Sequence, residues 1–85
     1  MKLKIYSIFD ELAKAFQTPF FMQNDNMAKR AFFDLVNDPQ SQVNKHPSDY
    51  KLYNIGTMDD ATALIEGTEI PNIIAHATDA IANEN

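Results

Sequence analysis

The chain has 85 residues, a formal net charge of −5, two histidines and no cysteine. This length allows one domain, and the lack of cysteine excludes disulfides, thiolate metal sites and a cysteine nucleophile. No apolar run reaches the roughly 20 residues of a membrane span, and no signal-peptide core follows the basic N-terminal residues, so we expect a cytosolic domain without membrane contact.

The charge is unevenly distributed along the chain. Residues 1–51 contain all seven Lys and Arg and six acids, a net +1, whereas residues 52–85 contain six acids and no Lys or Arg, a net −6. An acidic total argues against strong non-specific binding of nucleic acid, because phosphates are bound by clustered cations. Solubility alone would also explain the acidic C-terminal third.

The first predicted element is a strand over residues 2–9, where the side chains alternate in character. Leu3 and Ile5 point to one side of this strand, and Lys4 and Tyr6 point to the other. A period of two with β-branched and aromatic residues is typical of a half-buried strand.

A second strand is predicted over residues 16–23. Pro19 cannot donate a hydrogen bond to a neighbouring strand, so this strand should lie at an edge of the sheet or carry a bulge. Residues 12–15, before it, suit either a helical turn or a wide hairpin connection.

A helix is predicted over residues 26–37. Asn24 or Asp25 offers an N-cap oxygen, and Pro39 prevents continuation. At 100° per residue one arc of the helix is apolar and consists of Met27, Ala28, Ala31, Phe32, Leu35 and Val36. The opposite arc consists of Lys29, Arg30, Phe33, Asp34 and Asn37. A single apolar stripe indicates one buried face, so we expect the helix to pack on a sheet.

The segments after the helix are less regular. Residues 38–48 are polar with two prolines and are expected to form a surface loop. A strand is predicted over residues 50–55, with Gly56 as a bulge or bend. A turn at residues 58–61 and a further strand at residues 62–65 should follow.

The predicted order is strand–strand–helix–strand–strand. It indicates an α+β fold with an antiparallel sheet of about four strands, one face of which is covered by the helix. Residues 1–85 should form a single domain, and residues 68–85 suit either an extended tail or a short helix.

No catalytic, metal or cofactor site is predicted. His46 and His76 lack a second His or Cys at ligand spacing, and Asp59 and Asp60 are more typical of a turn than of a cation site. No serine has an evident activating base, and two glycines cannot form a phosphate-binding loop. We therefore expect a binding protein and not an enzyme.

The parities of the predicted strands suggest a binding surface. If the apolar positions Leu3 and Leu52 face the helix, the opposite sheet face carries cations and aromatic rings together: Lys2, Lys4, Tyr6, Lys51 and Tyr53. Proteins that bind single-stranded nucleic acid combine such cations for phosphates with rings for bases. Ile8 and Ile55 share this face by parity, so a homodimer interface is an alternative, and an ordinary solvated sheet face is another.

The predicted helix offers a second candidate surface for DNA. Lys29 and Arg30 flank an outward-pointing Phe33 on its polar arc. An exposed phenylalanine without function would explain Phe33 equally well.

Four segments of the chain resemble, in order and spacing, the small nonstructural protein of gokushoviruses, which are single-stranded DNA bacteriophages of the microvirus group. The segments are residues 4–10 (KIYSIFD), 19–25 (PFFMQND), 28–32 (AKRAF) and 49–59 (DYKLYNIGTMD). The resemblance covers residues 1–60. It implies a nonenzymatic DNA-binding protein in the cytoplasm of the infected bacterium, which favours single-stranded genome synthesis over duplex replication. It assigns no DNA-contacting residue.

Two functions therefore fit the sequence. The first is binding of single-stranded DNA in phage replication, with avidity gained from a homodimer or along the strand. The second is a protein interaction module that binds the phage replication initiator or a host replication factor without touching DNA. A continuous positive surface would favour the first function, and an apolar patch rimmed by acids would favour the second.

Overall fold

The computed structural model describes residues 1–82. Its elements are β1 (Lys2–Asp10), β2 (Ala15–Phe16), β3 (Phe20–Met22), α1 (Asp25–Asn37), α2 (Gln42–Lys45), β4 (Tyr50–Asp59), β5 (Ile65–His76) and α3 (Ala77–Ala82), with a 3-10 turn at Pro47–Asp49. The predicted α+β class and the order of strands around the main helix are confirmed. None of the helices in this range is long and apolar enough to span a membrane.

The five-stranded sheet is antiparallel, and its central strands are β1 and β4. The strand order is β2–β1–β4–β5, and β3 also pairs with β1, next to β2. Pro19 lies between β2 and β3, so the predicted edge strand around this proline is confirmed, in two short pieces. The residues between the two pieces remain hydrogen-bonded to β1. Gln17 N–H donates to the Ile8 carbonyl at 2.8 Å, and Ser7 Oγ donates to the Gln17 carbonyl at 2.6 Å.

Helix α1 covers one face of the sheet. It begins after Asn24, whose side-chain oxygen accepts a 2.9 Å hydrogen bond from Met27 N–H. Ala28, Phe32 and Val36, spaced by four, are its buried residues and belong to the core cluster that includes residues of β1 and β4. The predicted helix is confirmed, and so is the centre of its buried stripe, but Met27 and Leu35 of the predicted stripe are exposed.

The polar arc of α1 differs from the prediction at one position. Phe33 is half-buried and packs against the core, so the prediction that it points into solvent is wrong. Helix α1 contacts α3 as well as the sheet. Its buried face is therefore displaced towards Phe33, away from Met27 and Leu35, compared with the stripe that the sequence period indicates.

The segment between α1 and β4 is not the surface loop that we predicted. Helix α2 lies within it and places Val43 in the core with 4% of its surface exposed. Ser41 caps this helix by accepting a hydrogen bond from Asn44 N–H, and the Asn44 side chain donates to the Val36 carbonyl at the end of α1. A single apolar residue among polar ones produces no detectable period, which explains the error.

The C-terminal third forms one long edge strand and a helix. Strand β4 continues through Gly56 to Asp59, so the predicted turn and the following strand were placed too early. The register between β4 and β5 shifts around Gly56, which confirms the predicted bulge. Between the Asn54–Asn72 and Gly56–Gly67 pairs, β4 contributes one residue, Ile55, and β5 contributes four, residues 68–71. Residues 68–85, predicted as an extended tail or a short helix, contain both: β5 continues to His76, and α3 follows it. Residues 83–85 lie outside the described part of the chain.

Candidate nucleic-acid interface

The pairing of β1 with β4 defines two faces of the sheet. Ile8 lies opposite Leu52, and both belong to the core beneath α1, on what we call the helix face. Ser7 lies opposite Tyr53, and Phe9 lies opposite Lys51, on the other face, which we call the open face. Directly opposite residues of an antiparallel pair share a face, so alternation assigns the remaining positions.

Our prediction that five cationic and aromatic residues share one face is wrong. Lys2, Lys4 and Tyr6 have the parity of Ile8 and lie on the helix face, whereas Lys51 and Tyr53 lie on the open face. Both parities of β1 contain large apolar side chains, so its sequence alone does not determine which set is buried.

Tyr6 has a structural role. Its side chain is fully buried, its ring stacks on Phe20 at 5.8 Å between centroids, and its hydroxyl donates a 2.6 Å hydrogen bond to Asp25 Oδ1. Lys4 Nζ lies 3.3 Å from the same oxygen. Burial and this hydrogen bond raise the pKa of Tyr6, and the hydrogen bond from Tyr6 and the charge of Lys4 lower the pKa of Asp25. Tyr6 therefore cannot stack on a base in the folded protein.

The residues that suggested a dimer interface are also placed differently. Ile8 is 5% exposed in the core, and Ile55 is half-buried in the bulge of β4. Neither offers a large apolar surface to a second copy.

The open face carries an aromatic cluster at the end where β1 finishes, formed by Phe9, Phe16 and Tyr53. The ring centroids are 4.8 Å apart for Phe9 and Phe16, 5.5 Å for Phe16 and Tyr53, and 6.3 Å for Phe9 and Tyr53, with steep interplanar angles. Phe16 is 45% exposed, and the other two rings are half-buried. The sequence prediction missed Phe9 and Phe16, although a hairpin that pairs them would have placed them together.

Lys51 lies opposite Phe9 of the aromatic cluster, and Lys51 and Lys14 both contact one carboxylate. Lys51 Nζ lies 3.3 Å from Glu11 Oε2, and Lys14 Nζ lies 3.9 Å from Glu11 Oε1. These three groups sum to one positive charge, and the acids Asp10 and Asp49 lie near them and offset it. The surface therefore suits stacking more than strong phosphate neutralisation.

The other end of the open face is aliphatic. Leu3, Met58 and Ile65 are directly opposite one another across β1, β4 and β5 and form what we call the aliphatic row. Ile73 lies opposite Tyr53, and Phe21 lies opposite Ile5, so apolar side chains continue between the two ends.

The helix surface is a separate candidate. Arg30 is exposed, whereas Lys29 and Phe33 are half-buried. Because α1 covers the helix face, these residues do not join Lys51 and Tyr53 in one surface.

Asp10 and Asp59 stabilise local turns. Asp10 Oδ1 accepts a 3.0 Å hydrogen bond from Leu12 N–H, and Asp59 Oδ1 accepts a 2.9 Å hydrogen bond from Ala61 N–H, as turn residues do. Within residues 1–82, no group of three or more His, Cys, Asp or Glu side chains could hold a metal ion.

Comparison with protein families supplies one match. A family model described as Phage ORF5 protein matches residues 3–80. The search of curated proteins and the search of solved structures each gave no match. The family match confirms the phage part of the resemblance stated above.

Proposed function

We propose, from the premise that this chain belongs to the Phage ORF5 protein family, that it binds single-stranded DNA in the host bacterial cytoplasm and acts in phage genome replication, favouring single-stranded genome synthesis. The observation that carries the proposal is the aromatic cluster on the sheet face opposite α1, where Phe16 is 45% exposed, although Ile5 and Ser7 at the centre of this face are buried. Unpaired bases offer free ring faces, and each stacked base contributes about 1–3 kcal/mol whatever its identity.

The cluster suggests how a strand would bind. Phe16 presents the largest exposed ring surface, and Tyr53 lies beside it at 5.5 Å. Lys51 and Lys14, which both contact the Glu11 carboxylate, would contact phosphates beside the stacked bases. Two such contacts, if both lysines were fully available, would give a slope of about −1.4 for log K against log salt, since each contributes about 0.7 for single strands; the contacts with Glu11 should make the wild-type slope shallower. Duplex DNA should bind less well because its base faces are already stacked.

Fluorescence anisotropy with labelled oligo-dT and a matched duplex, at two salt concentrations, tests this function. We expect Phe16→Ala and Tyr53→Ala to weaken binding by about 1–3 kcal/mol with little change in salt slope, because stacking releases no counterions. Lys51→Ala should weaken binding and also flatten the slope.

The same assay separates the two candidate surfaces. Lys29→Ala and Arg30→Ala should bind oligo-dT like the wild type if the open face is the site. If these helix variants weaken binding and Phe16→Ala does not, the surface of α1 with Phe33 is the site instead.

A second candidate function is favoured by the surface beside β5. Leu64 is 66% exposed and Ile70 72% exposed, and Glu66 and Glu69 lie next to them. An apolar patch with acids around it suits a basic protein surface, such as one on the phage replication initiator or a host replication factor. If the wild type does not bind oligo-dT at low salt, this function replaces the first, and calorimetric titration of the purified initiator should show binding that Ile70→Ser weakens.

A further inference from the structure

We propose that the open face pairs with the same face of a second copy when the protein is free, and that single-stranded DNA competes with this pairing. The protein would then be a homodimer in solution and a monomer on DNA. The competition rests on the proposed DNA-binding function, whereas the pairing does not.

The composition of the open face is that of an interface core. Beyond the aromatic cluster, Ile65 is 61% exposed, Ile73 48% and Phe21 43%, and all three lie on this face. Aromatic residues and methionine are enriched at the buried centres of protein interfaces, and charged residues are depleted there. Two sheets that pack face to face bury such apolar inner faces between them.

The distribution of charge favours a second copy as the occupant. At the register-paired positions of β1, β4 and β5 on the open face, Lys51 is the only Lys, Arg, Asp or Glu, and it already contacts Glu11. A two-fold dimer places each surface against itself, so a neutral surface can pair without repulsion in a chain of net charge −5. Pairing through the edge of β5 would instead bring Glu66 and Glu69 of both copies together.

The area of the open face, compared with the area that a specific interface needs, indicates how much of this face the dimer must cover. Strands β1, β4 and β5, with β2 and β3 end to end as a fourth row, lie about 4.8 Å apart and are about 30 Å long, so they span on the order of 550 Å² per protomer. Two such faces together bury just over the roughly 1,000 Å² that a specific interface needs. The aliphatic row alone would fall short, so the pairing has to include the aromatic cluster.

A second copy that covers the aromatic cluster excludes DNA from it. Packed sheets are about 10 Å apart and filled by their own side chains, which leaves no space for a base on Phe16 or Tyr53. DNA must therefore separate the protomers to bind. The apparent affinity for DNA should fall as the protein concentration rises, because a growing share of the protein is dimeric.

Size-exclusion chromatography with light scattering tests the proposal at tens of micromolar protein, with and without an oligo-dT of about eight nucleotides, near one binding site. We expect twice the chain mass of 9.6 kDa without DNA, and one protomer with one oligonucleotide when DNA is added. Ile65→Asn should weaken the dimer about tenfold or more. Because Ile65 lies outside the aromatic cluster, this variant should still bind DNA, with a higher apparent affinity at tens of micromolar protein, where fewer protomers are paired. Met27→Asn, which changes a similarly exposed apolar residue on α1, is the matched control and should remain dimeric.

The possible outcomes separate the pairing from the DNA-binding function. A monomeric wild type overturns the pairing and leaves DNA binding untouched. A dimer that Ile65→Asn does not weaken places the interface elsewhere, and two protomers retained on one oligonucleotide overturn the competition. A dimer that Ile65→Asn disrupts, but that binds no oligo-dT, supports the pairing and removes the proposed function.

Discussion

The hydroxyl of Tyr6 donates a 2.6 Å hydrogen bond to Oδ1 of Asp25 and so connects the centre of β1 to the first residue of α1. Hydrogen bonds to charged acceptors contribute about 1.5–3 kcal/mol, and the partial exposure of Asp25 places this one at the lower end. We expect Tyr6→Phe to lower the free energy of unfolding by about 1–2 kcal/mol in urea denaturation. Tyr53→Phe, which removes a hydroxyl from the open face, is the control, and equal losses would contradict the assignment.

The same contact predicts the acid dependence of stability. The Tyr6 hydrogen bond and Lys4 lower the pKa of Asp25 in the folded state, so the ionised carboxylate stabilises the fold above its unfolded pKa of about 3.9. This contribution is lost as the pH falls below about 4 towards the lower folded pKa. Urea denaturation between pH 2.5 and 6 should show a shallower loss in Tyr6→Phe than in the wild type, and superimposable profiles would count against it.

The core beneath α1 predicts unequal costs for two adjacent phenylalanines. Phe32 is fully buried, whereas Phe33 is half-buried. Phe32→Ala should cost about 3–5 kcal/mol by leaving a cavity, a large share of the stability of a domain of this size. Phe33→Ala should cost clearly less. Thermal melts of the two variants measure the difference, and equal shifts would mean that the side chains of α1 are oriented differently.

The close approach of β5 to the bulge in β4 predicts that replacing Gly56 lowers the stability of the protein. A Cβ atom on Gly56 would lie 2.4 Å from the carbonyl oxygen of Glu66, a backbone atom that moves only if β5 moves. Gly56→Ala should therefore destabilise the protein by about 1–3 kcal/mol. Gly67→Ala is the matched control, because its Cβ would lie 3.8 Å from the Ile55 carbonyl oxygen, an ordinary contact. A Gly56→Ala variant as stable as Gly67→Ala would show that the two strands are further apart.

Because the Glu11 carboxylate contacts both lysines, neutralising it should strengthen DNA binding. Glu11→Gln removes the negative charge that Lys51 and Lys14 now contact, so both lysines become available to phosphates. We expect tighter binding of oligo-dT at low salt and a steeper salt dependence, approaching the slope of about −1.4 for two contacts. Asp34→Asn, which neutralises an acid on α1, is the control. An unchanged salt slope in Glu11→Gln would place the phosphates elsewhere.

The features that the sequence predicted correctly are the local ones. Asn24 and Pro39 mark the ends of α1 because a cap and a missing donor act within one turn of helix. Pro19 and Gly56 likewise mark an edge and a bulge through their own backbone chemistry. The sequence also determined that the strands alternate and that one helix covers one face of the sheet.

The tertiary structure alone decided which side of β1 faces α1 and where the candidate site lies. Leu3, Ile5 and Phe9 are as apolar as Tyr6 and Ile8, so the choice depends on the register that pairs Ser7 with Tyr53. Periodicity determines which residues share a face but not which face is covered, because covering requires contacts with α1, far away in sequence. For the same reason Phe16 joins Phe9 and Tyr53 only once the hairpin and the β1–β4 pair are both formed.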